Sequence, residues 1–296
     1  MPITPNGEEN APDVQLVPAP SGGTPRGWTF IGTGFECWLK WAYKYVFGLS
    51  PAKKSPALDL GSAYHMLMEG KSFEETEAAF PGFITEAKRL FEVRKKGPPL
   101  PPNTKAIIEK AFSIFDGRMT SKPDRIEKSG NRHLARDFKT AFTHSEHDEL
   151  VWNVDGGILG ECIAADTDTA LVDIVTKREN ASVGTKIVTA KLTPTKRFVL
   201  EQMVDAFWQQ AEERTKQLAK VKKPTREDVF KAFMPNLKGC VGKFGPCPYY
   251  QRCWGQPPES MLYKHTEPPR EWAEFSPVIK WRKALDTAYA KAKGVV

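Results

Sequence analysis

The chain has 296 residues, 40% of them hydrophobic, enough for one large domain or two small ones with a real core. Lysine and arginine total 43 against 36 aspartate and glutamate, and the resulting charge of +7, with a pI near 9.0, suits a polyanionic partner without specifying one. No apolar run nears the roughly 20 residues of a membrane helix, and "MPITPNGEEN" lacks the basic start and apolar stretch of a signal peptide, so the expectation is a cytoplasmic protein with no membrane partner.

Residues 1–27 carry six prolines and almost no large apolar side chains, which predicts a disordered tail. From Trp28 onward, "FECWLKWAYKYVFG" places Phe35, Leu39 and Ala42 or Tyr43 at helical spacing, and Gly48 with Pro51 stops the pattern. "PALDLGSAYHMLMEG" predicts a second helix bounded by Gly70, and helical periodicity continues to about Leu90. The four prolines of "KKGPPLPPN" then impose a loop.

A helix is predicted near Thr104 to Phe115, after which the residues alternate. "GRMTSKPDRIEK" and "HLARDFKTA", with "SGN" between them, predict an antiparallel hairpin. "VWNVDGGILGECIAAD" is helical despite its glycines, and "TALVDIVTKRE" and "TKIVTAKLT" read as strands. A long helix follows in "RFVLEQMVDAFWQQAEERTKQLAK", with Val199, Met203, Ala206, Phe207, Ala211 and Leu218 as its inward stripe. A basic helix containing Trp281 closes the sequence. This order of elements predicts an α/β core with helical additions.

Asp124, Asp137 and Lys139 fall on adjacent strands of the predicted hairpin. Alternate residues of a strand share a face, so both carboxylates can approach one ion, and oxygen donors of this kind suit Mg2+ or Mn2+. A lysine beside them can stabilise charge building on a phosphorus centre or orient a water. A solvated strand with alternating charges has the same pattern. Upstream, Gly61, His65 and Glu69 are spaced four apart on one helical face. Asp173 and Lys177 also share a strand face, but four strand residues spread them over roughly 13 Å, which predicts a structural role.

Five cysteines are an odd number for a reducing compartment, where metal or cluster ligation is favoured over disulfides. Cys240, Cys247 and Cys253 have six and then five residues between them, too widely spaced for the usual zinc modules. Cys37 is the fourth candidate, because Cys162 lies in an apolar helix. Four thiolates are the usual ligands of an iron-sulfur cluster. Unligated buried thiols are the alternative.

Taken in order, Gly61-His65-Glu69, Pro123-Asp124-Arg125-Ile126 and Asp137-Phe138-Lys139-Thr140 resemble the motifs of the RecB-like branch of the PD-(D/E)XK nuclease superfamily. One cysteine before them and three after, ending in "CPYYQRC", resemble its iron-sulfur subgroup, which includes AddB-type and CRISPR-associated exonuclease domains. The resemblance spans roughly residues 28–254. It implies an α/β fold with a restriction-endonuclease-like core, a mixed β-sheet flanked by helices, and an added helical iron-sulfur region. His65, Asp124, Asp137 and the Phe138 carbonyl would be metal ligands, Lys139 the catalytic lysine, and Cys37, Cys240, Cys247 and Cys253 the ligands of a structural 4Fe-4S cluster. The chain would divide into a tail at 1–27, a nuclease domain at 28–255 whose two ends meet at the cluster, and an extension at 256–296.

The function so implied is a metal-dependent DNA nuclease of exonuclease type acting in recombination, repair or phage DNA processing on single strands or duplex ends, with a recombination or repair protein as a further partner. One departure bears on it: relatives carry Gln-x-x-x-Tyr on the helix after the lysine, whereas Gly157 and Glu161 occupy those places here. The alternative is a non-catalytic iron-sulfur nucleic-acid-binding module with a degenerate nuclease fold. A redox role for the cluster would leave Lys139 and the strand carboxylates unexplained.

Overall fold

The computed structural model describes residues 26–47, 49–51, 56–97, 105–108, 110–129, 132–141, 146–176, 184–221, 225–242, 245–254 and 263–265. Nearly all of the expected tail and the basic helix around Trp281 lie outside them. The helices are α1 (Trp28–Glu36), α2 (Trp38–Trp41), α3 (Pro56–Met68), α4 (Phe73–Ala79), α5 (Ile84–Lys96), α6 (Glu146–Val154), α7 (Gly156–Ala164), α8 (Pro194–Ala219), α9 (Arg226–Ala232) and α10 (Tyr250–Trp254). The strands are β1 (Leu49–Pro51), β2 (Lys105–Ile108), β3 (Phe112–Ile114), β4 (Met119–Ser121), β5 (Arg125–Ser129), β6 (Arg132–Ala141), β7 (Thr169–Thr176), β8 (Thr185–Lys191), β9 (Val241–Gly242), β10 (Gly245–Pro246) and β11 (Tyr263–His265). They form two compact units, one of Met1–Gly27 with Val93–Arg197 and one of Trp28–Glu92 with Phe198–Val296.

The first unit is mixed α/β, built on a five-stranded sheet in the order β2-β5-β6-β7-β8. The predicted hairpin is present, with Ile126 opposite Ala135 and Ser129 opposite Arg132. β6 then pairs in parallel with β7, a connection that requires a crossover, and α6 and α7 supply it. Strand alternation gives β6 two different faces. Ala135 lies in a buried cluster with Ile126, Ala170, Val172, Ile174 and Val188, against Ile158 and Cys162 of α7. Asp137 and Lys139 continue that same face.

The other face is ionic. Arg136 donates to Glu127 (Nε to Oε1, 2.9 Å) and to Asp173 (Nη1 to Oδ2, 3.2 Å), and Arg94 reaches the same Asp173 oxygen from α5 at 2.6 Å. These side chains are at most 4% exposed, so each depends on its partners for the solvation it lost. Asp173 therefore has the structural role expected of it, while Lys177 lies outside the described residues.

The segment read as a single helix before β7 is two, because Asp155 leaves the helical path and caps α7, accepting from the N–H groups of Gly157 (2.9 Å) and Ile158 (3.1 Å). Gly160 lets α7 press against β4: a Cβ there would stand 2.9 Å from the terminal methyl of Met119. The helix predicted near Thr104 to Phe115 is corrected. β2 pairs with β5, and β3 pairs with β4 through a turn in which Phe115, Asp116 and Gly117 take positive φ of 51°, 53° and 84°. Cross-strand partners decided these short apolar runs, which periodicity alone leaves ambiguous.

In the second unit α8 is the long helix expected, but its buried stripe is Leu200, Val204, Phe207, Ala211, Thr215 and Leu218. Val199, placed inside by the sequence reading, is 48% exposed. Phe207 fixes the helix phase: its ring stacks on Trp38 and meets Phe30 and Trp41 edge-on, and a Cβ on Gly34 would come within 2.7 Å of it. A separate cluster of Ala63, Leu67 and Ala87 joins α3 to α5. β1 pairs antiparallel with β11. Among the described residues no helix is long and apolar enough to cross a membrane.

Removing one partner of the buried ionic face leaves the others uncompensated. Asp173→Ala is expected to lower unfolding free energy by about 3–5 kcal/mol in urea titrations, whereas Asp168→Ala, whose side chain is 77% exposed beside Lys191, should change it by no more than about 1 kcal/mol.

Candidate acidic site and cysteine cluster

Past the start of β5, β6 continues alone on that side, and Asp124 takes up the unpaired backbone: its Oδ2 accepts the Phe138 N–H at 2.7 Å. The N–H and C=O of a strand residue point to the same side, so the Phe138 carbonyl faces the gap that Asp124 occupies. One residue earlier, Asp137 turns to the α7 face, where Lys139 Nζ donates to its Oδ1 at 2.7 Å. The Asp137 side chain is 4% exposed and that of Lys139 40%, so the site opens to solvent at the lysine.

A third carboxyl completes this group. Glu161 of α7 is 7% exposed, shares a hydrogen bond with Asp137 and interacts electrostatically with Lys139 and Asp124. Burial, followed by the charge of Asp137, holds the Glu161 carboxyl well above the usual carboxylate range, against the opposing pull of Lys139. Burial pulls Lys139 down, but Asp137, Glu161 and Asp124 together outweigh it and hold the ammonium protonated. Asp124, Asp137 and Lys139 thus meet as the sequence reading expected. Glu161 was noted only as the residue in the tyrosine slot, and the missing signal was the joint phase of α7 and register of β6. His65 belongs to the second unit, on α3, half-buried beside the ring of Tyr64.

Within the second unit, Cys37 caps α2, and its Sγ accepts from the backbone N–H groups of Lys40 and Asn236, each at 3.5 Å. Asn236 also donates through Nδ2 to the Glu36 carbonyl at 2.9 Å, and its own carbonyl lies 3.6 Å from Cys240 Sγ. The Cys247 N–H returns to the Cys240 carbonyl at 2.8 Å. Burial pushes the Cys247 thiol up, Cys37 and Cys240 push it further, and a backbone hydrogen bond at Tyr249 and the charge of Lys40 act against them. Three of the expected cysteines therefore gather around Asn236, a residue the sequence reading did not single out. Cys253 follows on α10, 7% exposed. Cys162 is fully buried in the sheet core with its thiol pushed up to about 12, by burial first and by Glu161 second, as befits a packing residue.

Among the described residues, no three His, Cys, Asp or Glu side chains already stand in the geometry of a metal shell. The donor chemistry nevertheless fits what was expected at each place. Around the Lys139 ammonium stand the carboxyls of Asp137, Glu161 and Asp124, and Glu161 Oε2 is buried with no hydrogen-bond partner, a combination that a divalent cation would compensate. A Cys247 thiol whose ionisation burial and its neighbours Cys37 and Cys240 oppose suits a positively charged centre in the same way. Of the basic run from Arg214 to Lys238, Arg214 is used structurally, donating to the Ala232 carbonyl at 2.9 Å and lying over the Trp38 ring.

No protein-family model matches the chain, and no curated protein does. A solved structure described as the crystal structure of SSO0001 aligns with 61% of this chain and 84% of its own at 11% identity and a TM-score of 0.27, a likeness too low to carry an argument.

The position of Glu161 gives stability a distinctive pH dependence. Its folded form keeps a proton that the unfolded chain releases above the ordinary value of 4.5, so the folded state binds more protons and loses stability as pH rises past that value. Glu161→Gln carries no such proton. In metal-free buffer with chelator, the melting temperature of Glu161→Gln relative to wild type should rise steadily as pH is raised from 4.5 to 8; a constant difference across that range would contradict the assignment.

Proposed function

We propose that the chain is a metal-dependent DNA nuclease with a PD-(D/E)XK-type active site, acting as an exonuclease in DNA recombination, repair or phage DNA processing. The observation that carries this reading is the meeting of Asp124, Lys139 and the buried Asp137 at the open end of the β5–β6 hairpin, in the order that the sequence motifs imply. Asp124, Asp137 and the Phe138 carbonyl would hold Mg2+ or Mn2+, and the reading assigns His65 to the same ion. The ion, when bound, supplies Lewis-acid polarisation of the phosphate and a more acidic water.

The chain's own groups do the remainder. Asp137 fixes Lys139 at the solvent-open side, where its ammonium meets the charge that builds on the phosphoryl oxygens as a water oxygen attacks phosphorus. The bond from phosphorus to the leaving ester oxygen breaks, that oxygen takes up a proton from solvent, and the attacking water loses one. Lys139 stays charged throughout and acts as an electrostatic group rather than as a base. In the second unit, Cys37, Cys240, Cys247 and Cys253 would hold a structural 4Fe-4S cluster joining sequence-distant segments, whose value lies mainly in closing a long loop.

Purified protein with Mn2+ should degrade end-labelled linear DNA. Asp124→Ala and Lys139→Ala should each reduce the rate by about 100-fold or more, with cooperative melting retained. Unchanged cleavage in both variants would remove the assignment, and DNA binding without metal-stimulated cleavage would select the non-catalytic module. Anaerobically purified protein should be brown, Cys37→Ser should bleach it and Cys162→Ser should not. A colourless, zinc-containing wild type would replace the cluster by zinc.

A further inference from the structure

We propose that Glu161 is an additional ligand of the divalent cation, a third carboxylate delivered by α7 from the opposite side to β6. This inference rests on the metal-dependent reading of the site and adds to it a residue that the sequence motifs do not contain. Three observations lead to it. Glu161 is 7% exposed, on a helix whose neighbouring residues Ile158, Leu159 and Cys162 are buried and apolar. Its carboxyl is directed at Asp137, with which it shares a hydrogen bond. Its Oε2 is enclosed, and no donor group of the protein reaches it.

An acid placed only for packing would be replaced at lower cost by an apolar side chain, since an enclosed polar oxygen without a partner costs about 1–3 kcal/mol. The nearby ammonium donates to Asp137 Oδ1 at 2.7 Å, and no hydrogen bond from it reaches Glu161 Oε2. What the arrangement lacks is a centre that accepts oxygen donors from Asp137 and Glu161 at once, with Asp124 close enough to join. A hard divalent cation of the Mg2+, Mn2+ or Ca2+ class has that chemistry, whereas a monodentate organic cation does not. Closing the shell takes side-chain rotation, since Asp124 Oδ2 is held by the Phe138 amide and Asp137 Oδ1 by Lys139.

Electron paramagnetic titration of Mn2+ against the full-length protein, without DNA, separates the possibilities. Wild type should bind Mn2+. Asp137→Asn and Glu161→Gln should each weaken binding by about 10- to 100-fold, while melting in chelator stays cooperative. Weakened binding by Asp137→Asn with Glu161→Gln within about two-fold of wild type would overturn the role of Glu161 and leave the nuclease reading standing. Absence of Mn2+ binding in wild type would overturn both. Should Glu161→Gln melt non-cooperatively, Glu161→Asp takes its place: it keeps the charge but withdraws the oxygens by one methylene, so a ligand role predicts a reduced Mn2+-induced rise in melting temperature and a purely structural role predicts an unchanged one.

Discussion

Asp137 and Glu161 bring two carboxyls into contact beneath the surface, with the ammonium of Lys139 on one and Asp124 close by. Such a grouping costs folding free energy, because two buried carboxyls in contact cannot both ionise cheaply, and in the metal-free protein Glu161 keeps its proton. The rest of the first unit is arranged to hold it. β6 pairs with β5 from Arg132 to Arg136 and with β7 from Ala135 to Ala141, α7 is capped by Asp155 and seated through Gly160, and the far face of the same strand is tied down by Arg136, Glu127, Asp173 and Arg94. An apolar sheet face with one polar end is a poor way to gain stability and a good way to hold ligands rigidly.

The two faces of β6 also show why ionic residues in one short stretch have different meanings. Arg136 and Asp137 are adjacent in sequence and both buried, yet alternation sends the first into a paired network of opposite charges and the second into a cluster with excess negative charge. The first arrangement pairs each charge with an opposite one of the protein. The second would be balanced by the divalent cation proposed for it, and that is what separates a structural ion pair from a candidate binding site.

The hairpin was legible because alternation and the "SGN" turn are local signals, and with it came Asp124, Asp137 and Lys139. On α8 Phe207, Ala211 and Leu218 face inward as expected, while the earlier turns were read one position off, with Val199 and Met203 in place of Leu200 and Val204, since apolar residues lie on more than one side of that helix and the contact of Phe207 with Trp38 and Phe30 decided which faced inward. β2 and β3 were read as helix because their partners, β5 and β4, lie elsewhere in the chain. Glu161 and Asn236 escaped for the same reason: Glu161 becomes meaningful only when a helix phase and a strand register are known together, and Asn236 only when residues 36 and 236 are seen hydrogen-bonded. Local pattern was enough to single out the candidate residues on the β5–β6 hairpin; the further groups beside each candidate site came from long-range packing.

The most direct test is anomalous diffraction at the manganese edge from crystals soaked in Mn2+. A peak about 2.1 Å from carboxylate oxygens of Asp137 and Asp124, with Lys139 alongside, is the result the account predicts. A well-ordered site in which those carboxylates remain bonded only to protein groups, or with manganese bound elsewhere, would contradict it.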